Sequence, residues 1–480
     1  MRIFLIIVLS SFVGANYLNS YFSLRNELDY NLIEYAILKS NNSDVFVLNQ
    51  PYKNNQVFKI LNNKELDGIN LDRYDFLIRK NDKRKGLRVL MGFNRVEYDN
   101  DFKAFIKADG YLQLDSLILV NSIDMDKALK DDVNYHGDKK EWATAYIYDS
   151  YFLYQKNKID IFAGRIQRNF GILNEYGLLL SNNPYSFDHY GFSVCDKKIQ
   201  YSFYFTRLND MSDAEDSEGI LIPVGEIDIA KRYFSIQRLD FKISNNFQGS
   251  LSSSTVYGGP NQNIEFSFIN PLNLYYLSQR NKTTQMNNFY QIGFFYKFLN
   301  KSALYLDFLI DDVIINNEPG MRDTDPDRLG LILKYSMLDQ ILDKSILSLR
   351  YTRIWTGTYT TFRNFENYIY FDKGIGYPYN NFESLKFSLS VFSLKSLLNE
   401  IDLEIYRLGD SDLRSIFDNA IYPFPNGNVE RGFNFNVKVI YFMQNNFESS
   451  LGFKYNKFKN EDNQDSSLNF NFKVVYNFQH

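Results

Sequence analysis

The sequence predicts an all-β transmembrane barrel of about 18 antiparallel strands carrying a small N-terminal periplasmic helical element. Three observations predict it. In the C-terminal stretch, Leu468, Phe470, Phe472, Val474, Tyr476 and Phe478 alternate with Asn469, Asn471, Lys473, Asn477 and Gln479, broken only at Val475. A strand has a side-chain period of two, so one face is oily and the other wet. Next, aromatics reach 17%, with 43 Phe and 37 Tyr against 2 Trp, while 23% of residues are charged and mean hydropathy is −0.35. Alternating strands produce that mixture; a bundle of apolar helices does not. Finally, short and long connections alternate along the chain, as they do when tight turns close one end of a barrel and loops crown the other. A β-sandwich has no reason to sort its loops by length.

Taken in order, residues 1–15 read as a signal peptide. Met1-Arg2 is a positive start, Ile3 to Val13 an apolar core and Gly14-Ala15 a small-residue exit. The run is shorter than the ~20 residues of a membrane helix, and no Cys follows it to take a lipid anchor. Cys195 is the single cysteine, which excludes an intrachain disulfide and a multi-cysteine metal site. A net charge of −4 gives no argument for nucleic acid. A secreted chain with amphipathic strands and no apolar helix is expected in the Gram-negative outer membrane.

Residues 16–72 form the expected periplasmic helical segment. Leu24, Leu28, Leu32, Tyr35 and Leu38 recur at helical spacing, Asn41-Asn42-Ser43 ends the run, and Val57, Ile60 and Leu61 mark a second helix after Pro51. Residues 73–480 form the barrel. Strands are expected at 86–96, 102–108, 111–121, 146–155, 159–165, 190–194, 199–207, 232–244 and 247–257. The remainder fall at 289–298, 303–311, 328–338, 345–356, 384–394, 401–407, 431–442, 447–457 and 468–479. Asn157-Lys158, Asn245-Asn246, Asn300-Lys301 and Asn445-Asn446 have hairpin chemistry, and 339–344 and 396–400 are also short. The long connections are 166–189, 208–231, 258–288, 312–327, 357–383 and 408–430. A periplasmic C-terminus places all of them outside the cell. Within 258–288, Ile264, Phe266 and Phe268 alternate like a further strand that would break the parity; the expectation is a structured external loop folded toward the mouth.

The segment Gly164-Arg165-Ile166-Gln167-Arg168-Asn169-Phe170-Gly171, followed by Gly177 to Asp188, resembles the Wzi family of capsule-assembly outer-membrane proteins. So do Phe268-Ile269-Asn270-Pro271-Leu272, Asn287-Asn288, and Tyr305 to Asp312, together with Leu24-Arg25-Asn26-Glu27-Leu28 and Gln50-Pro51-Tyr52. The resemblance implies an eighteen-stranded barrel with periplasmic helices and a lectin-like role in holding capsular polysaccharide. Two departures stand out: Phe170-Gly171-Ile172-Leu173 where the family tends to place Trp-Gly-Pro-Gly, and a C-terminal His480 with Phe478 two places before it.

Loops on a rigid scaffold are where binding is expected. Rings pack on sugar C–H faces while Arg, Asp and Asn hydrogen-bond hydroxyls. The candidate polysaccharide-binding residues are Arg168, Phe170, Tyr185, Phe187 and His189 in one loop, and Trp355, Tyr359, Phe362 and Arg363 at another. Such rings also serve as membrane-edge belts or as loop packing. Lys297, Arg328, Lys334, Arg350, Lys386, Lys438, Lys454 and Lys473 are read as facing inward, with Asp307, Asp311, Asp402, Glu404 and Glu448. That positive surplus suggests an acidic polymer. Acidic runs at 209–218 and 311–327 lack EF-hand spacing and read as solvated loops. Of the 3 His residues, His136, His189 and His480, only His189 has a neighbouring carboxylate, Asp188, and adjacent residues on a strand point apart. The reading is therefore a binding protein with no catalytic centre, metal or cofactor. Its expected partners are capsular or other surface polysaccharide and outer-membrane lipid or lipopolysaccharide, with the N-terminal helices available to export machinery. The alternative is a porin-type substrate channel.

Overall fold

The computed structural model describes residues 20–25, 27–40, 45–62, 66, 85–95, 102–133, 135–139, 144–217, 219–223, 226, 228–281, 284–298, 301–312, 327–394, 397–417, 423–443, 447–460 and 464–479. The signal peptide, Asn41-Asn42-Ser43, the boundary at 72/73, Glu218, Asp323, Asp325, Asn300, Ser396, Asn445-Asn446 and His480 lie outside the described residues.

From Lys85–Arg95 to Gln464–Gln479 the strands pair antiparallel with their neighbours in sequence. The last then pairs with the first, Arg88 opposite Gln479 and Arg95 opposite Phe472, so the sheet closes. The ladder counts 19 strands. One of them, Met211–Ala214, continues the position of Ile199–Arg207 against the same neighbour, Asp228–Lys242, leaving eighteen staves. Closure removes the sheet edges that would otherwise leave backbone groups unpaired in hydrocarbon. Leu251, Phe152 and Phe470 lie exposed on the outer face.

Most strand positions agree with the sequence reading, and one turn does not. Strands Phe102–Leu114 and Leu117–Asp126 meet at Asp115-Ser116, not at Asp109-Gly110. Asp115 takes the left-handed conformation of the turn, with φ of 51°. Asp109-Gly110 has turn chemistry, but the Asp109 carboxylate faces the lumen and accepts hydrogen bonds from Arg88 Nε at 2.9 Å and Arg25 Nη2 at 3.2 Å. An ion pair fixes it in mid-strand.

The two helices, Glu27–Lys39 and Asn54–Leu61, pack inside the wall. Their approach is from the short-turn end, where Lys39 pairs with Asp339. Ile33, Tyr35, Leu38, Val57 and Leu61 join a buried cluster with Phe170 and Leu178 from the long loop after Ile159–Arg165, and with wall residues Phe289, Tyr305, Ile332 and Phe392. The inward polar groups of the wall hold this plug. Glu34 accepts from Lys334 Nζ at 2.9 Å and Ser336 Oγ at 3.1 Å. Arg238 donates to the Leu48 carbonyl at 3.0 Å and to Asp240 at 2.8 Å, and it stacks on Phe170. Buried charges require such partners.

Glu34→Ala leaves Lys334 buried without its carboxylate and is expected to cost roughly 3–5 kcal/mol. The paired change Glu34→Met with Lys334→Met is expected to cost clearly less. Denaturant unfolding in detergent compares them; equal losses would contradict the pairing.

Candidate functional site: a cavity beside the plug

Two long loops fold inward and knit to each other above the helices. Tyr359 Oη donates to the Leu178 carbonyl at 2.7 Å, Tyr368 Oη to Leu179 at 2.8 Å, and the Ser181 amide to Ile375 at 2.9 Å. Wall carboxylates anchor them: Asp307 accepts from the Leu178 amide at 3.2 Å, and Asp311 from the Tyr359 amide at 2.7 Å. The second bond holds Tyr359 at a φ of 76°, a conformation costing about 1–3 kcal/mol in a non-glycine residue. Arg232 completes the tie by donating to the carbonyls of Phe365 at 2.8 Å and Asn367 at 2.6 Å.

This packing leaves a cavity of about 550 Å3 on one side of the lumen, between the plug and strands Ser345–Ile354, Phe382–Leu394, Leu397–Leu408 and Glu430–Met443. Register explains its lining. Lys386, Glu404 and Asn434 face inward in one row, Ser388, Asp402 and Asn436 in the next, and Ser390, Glu400 and Lys438 in the third. Tyr176, Tyr377, Tyr379 and Tyr406 stand around the long-loop half. Tyr176 and Tyr379 are 42% and 44% exposed, so their rings are open to a ligand. Arg350 bridges Glu175 of the loop and Glu404 of the wall, the latter at 2.6 Å. Lys386 lies 3.5 Å from Asp402, and Tyr406 Oη donates to Glu430 at 2.6 Å. Burial opposes ionisation of Glu175, yet Arg350, Lys386 and Lys334 together hold its carboxyl below the ordinary glutamate range. The lining counts six carboxylates (Glu34, Glu175, Glu400, Asp402, Glu404, Glu430) against four cations (Lys334, Arg350, Lys386, Lys438). The positive surplus expected from inward-facing lysines is absent here. Neighbouring carboxylates absorb those cations, and some of those acids come from the plug and loops.

The residues nominated from sequence are placed differently. Arg168, Phe170, His189, Tyr359 and Arg363 are buried, while Tyr185, Phe187, Trp355 and Phe362 are partly so. Arg168 donates to His189 Nε2 at 2.9 Å and stacks on Tyr204. Phe187 packs edge-on to His189 and against Tyr370. Tyr185 Oη donates to Asp132; burial, with Asp132, pushes its hydroxyl far above the usual range. Arg363 pairs with Asp216, Phe362 packs on Phe417, and Trp355 lies under Arg353. Arg168, Tyr185, Phe187 and His189 surround a void of about 20 Å3, too small for a sugar. Asp188 turns away from His189 to pair with Arg165 at 2.8 Å. Among the described residues, no group of three or more His, Cys, Asp or Glu is placed to hold a metal ion. Asp402 and Glu404 were legible as inward-facing; their convergence with Tyr176 and Tyr379 was not, because it depends on how the loops fold back.

Residues 101–334 match the family model of capsule assembly protein Wzi, so the family resemblance read from the sequence is borne out over that span. The fold is similar to that of Wzi from Escherichia coli, described as an outer membrane protein involved in group 1 capsule assembly and a carbohydrate-binding β-barrel. The two share 10% identity at a TM-score of 0.62, covering 97% of this chain and 99% of that one. OprD of Pseudomonas aeruginosa overlaps less, with 10% identity, a TM-score of 0.47 and 82% and 95% coverage. None of the curated proteins compared matches the sequence. The chain accordingly has the closed β-barrel fold of the Escherichia coli protein.

Glu175 titrates below its unfolded value, so its contribution to stability is present above that value, about pH 4.3, and is lost as pH falls through its folded value. Glu175→Gln is expected to flatten the fall in unfolding midpoint on acidification. An unchanged slope between about pH 5 and pH 3 would remove the assignment.

Proposed function

With residues 101–334 matching the Wzi capsule-assembly family, we propose that this barrel binds surface polysaccharide in the cavity beside its plug and holds the polymer at the cell surface without turning it over. One observation carries the reading: inside the barrel, a space of about 550 Å3 brings accessible Tyr176 and Tyr379 rings beside Asn182, Asn434, Glu404 and Lys386. That volume is within the ~300–1,000 Å3 of small-ligand sites. Rings facing amides and carboxylates suit a pyranose, whose C–H faces are apolar and whose rim carries hydroxyls. The excess of carboxylates favours neutral or amine-bearing sugar units over strongly acidic ones. Arg168, Phe170, Tyr185, Phe187, His189, Trp355, Tyr359, Phe362 and Arg363 do not line this cavity; they hold the plug and loops together through the contacts described above.

In this reading the long-loop end faces outward and receives the polymer. The short-turn end and the N-terminal helices face the periplasm, within reach of export machinery. Lipopolysaccharide surrounds the wall. A porin-type channel draws no support from a lumen occupied by helices and two loops.

Tyr379→Ala is expected to weaken binding of a capsular oligosaccharide about tenfold, ~1.4 kcal/mol, as measured by calorimetric titration in detergent. Phe362→Ala, in the same connection but packed on Phe417 away from the cavity lining, should leave affinity within about twofold. Equal losses for both variants would return the site to the loop rings.

A further inference from the structure

The described part of the connection, residues 261–281, does not fold into the mouth. Tyr233, Ser235 and Gln237 alternate with Phe234, Ile236 and Arg238 on strand Asp228–Lys242, and the latter set packs on the plug. The former set therefore faces outward. Across four strands the outward rows read Phe205, Ser235, Thr255, Asn288 and, one step lower, Phe203, Gln237, Ser253, Tyr290. Hydroxyls and amides on a lipid-facing wall are costly unless covered.

Segment 261–281 covers them. Ser235 Oγ donates to the Phe268 carbonyl at 2.8 Å and lies 2.7 Å from Tyr275 Oη; Gln237 Nε2 donates to the Asn273 carbonyl at 2.7 Å. Tyr201 Oη donates to the Pro271 carbonyl. Phe268 and Tyr275 complete a buried cluster with Phe203, Phe205, Tyr233, Tyr257 and Met286 on the outside of the wall. The opposite face of the segment is apolar and uncovered: Phe266 is 86% exposed, Leu272 80% and Leu274 63%.

We propose that this segment is an amphipathic flap lying against the outer wall, with Phe266, Leu272 and Leu274 set among the acyl chains of the leaflet on the long-loop side. It gives the barrel a lipid contact surface that its own strands lack at that height. Lipid is the occupant because the flap's apolar face continues the exposed apolar row directly below it, Leu239 and Leu251. This inference is independent of the sugar site.

The test uses the full mature chain in liposomes, in a Cys195→Ser background, with nitroxide labels on Leu272→Cys and Leu274→Cys. Both side chains point away from the wall, so folding is not at issue. Expected is a ratio of collisions with oxygen to collisions with a water-soluble nickel chelate that matches Leu251→Cys on the bare wall. A ratio matching Val133→Cys, exposed in a loop, would overturn the proposal. So would labels shielded from both reagents, as at a contact between two copies.

Discussion

Closing a sheet into a cylinder turns half of its side chains toward a space that must be filled, and here that space is lined with charge. Glu34, Lys334, Arg238 and Arg232 are each almost wholly buried. A buried charge without a partner is far more destabilising than any single packing contact. The wall therefore dictates that a plug exist and where its polar groups lie. Glu34 on a helix meets Lys334, the Leu48 carbonyl meets Arg238, and the carbonyls of Phe365 and Asn367 meet Arg232. The plug reciprocates by supplying the apolar surface that Phe289, Tyr305 and Ile332 need.

The candidate site follows from where that filling stops. Helices and loops press hardest on the strands from Asp228–Lys242 to Arg328–Leu338, and withdraw from Leu397–Leu408 and Glu430–Met443. Along the cavity stretch of the second group, Glu400 to Glu404 and Asn434 to Lys438, the inward residues are polar, and Asn434, Asn436 and Lys438 are only partly buried. A cavity made this way is rigid on its wall side and set by loop 166–187 on the other. On the outside of the same barrel the logic is reversed: polar groups at Ser235 and Gln237 are hidden from lipid by a segment folded down over them.

Strand positions, closure and the sorting of loops were legible because each follows from local periodicity. Phe470 and Lys473 announce their faces in one dimension. The turn at Asp115 is not legible because Asp109-Gly110 has the same chemistry, and ion pairs from Arg88 and from Arg25, distant in sequence, decide between them. Ile264, Phe266 and Phe268 alternate like a strand but form a helical turn over Phe266–Ile269, with Phe268 packed on the outer wall. The loop rings were recognisable as aromatic; whether Tyr359 faces ligand or the Leu178 carbonyl depends on tertiary contacts that no local pattern encodes.

The account rests on a lumen occupied by the protein's own chain, and ion flow reads that occupancy directly. Single-channel recording in planar bilayers should find no large, steady conductance for the protein, and a higher conductance when residues 20–62 are deleted. A stable open pore with those residues in place would contradict the account.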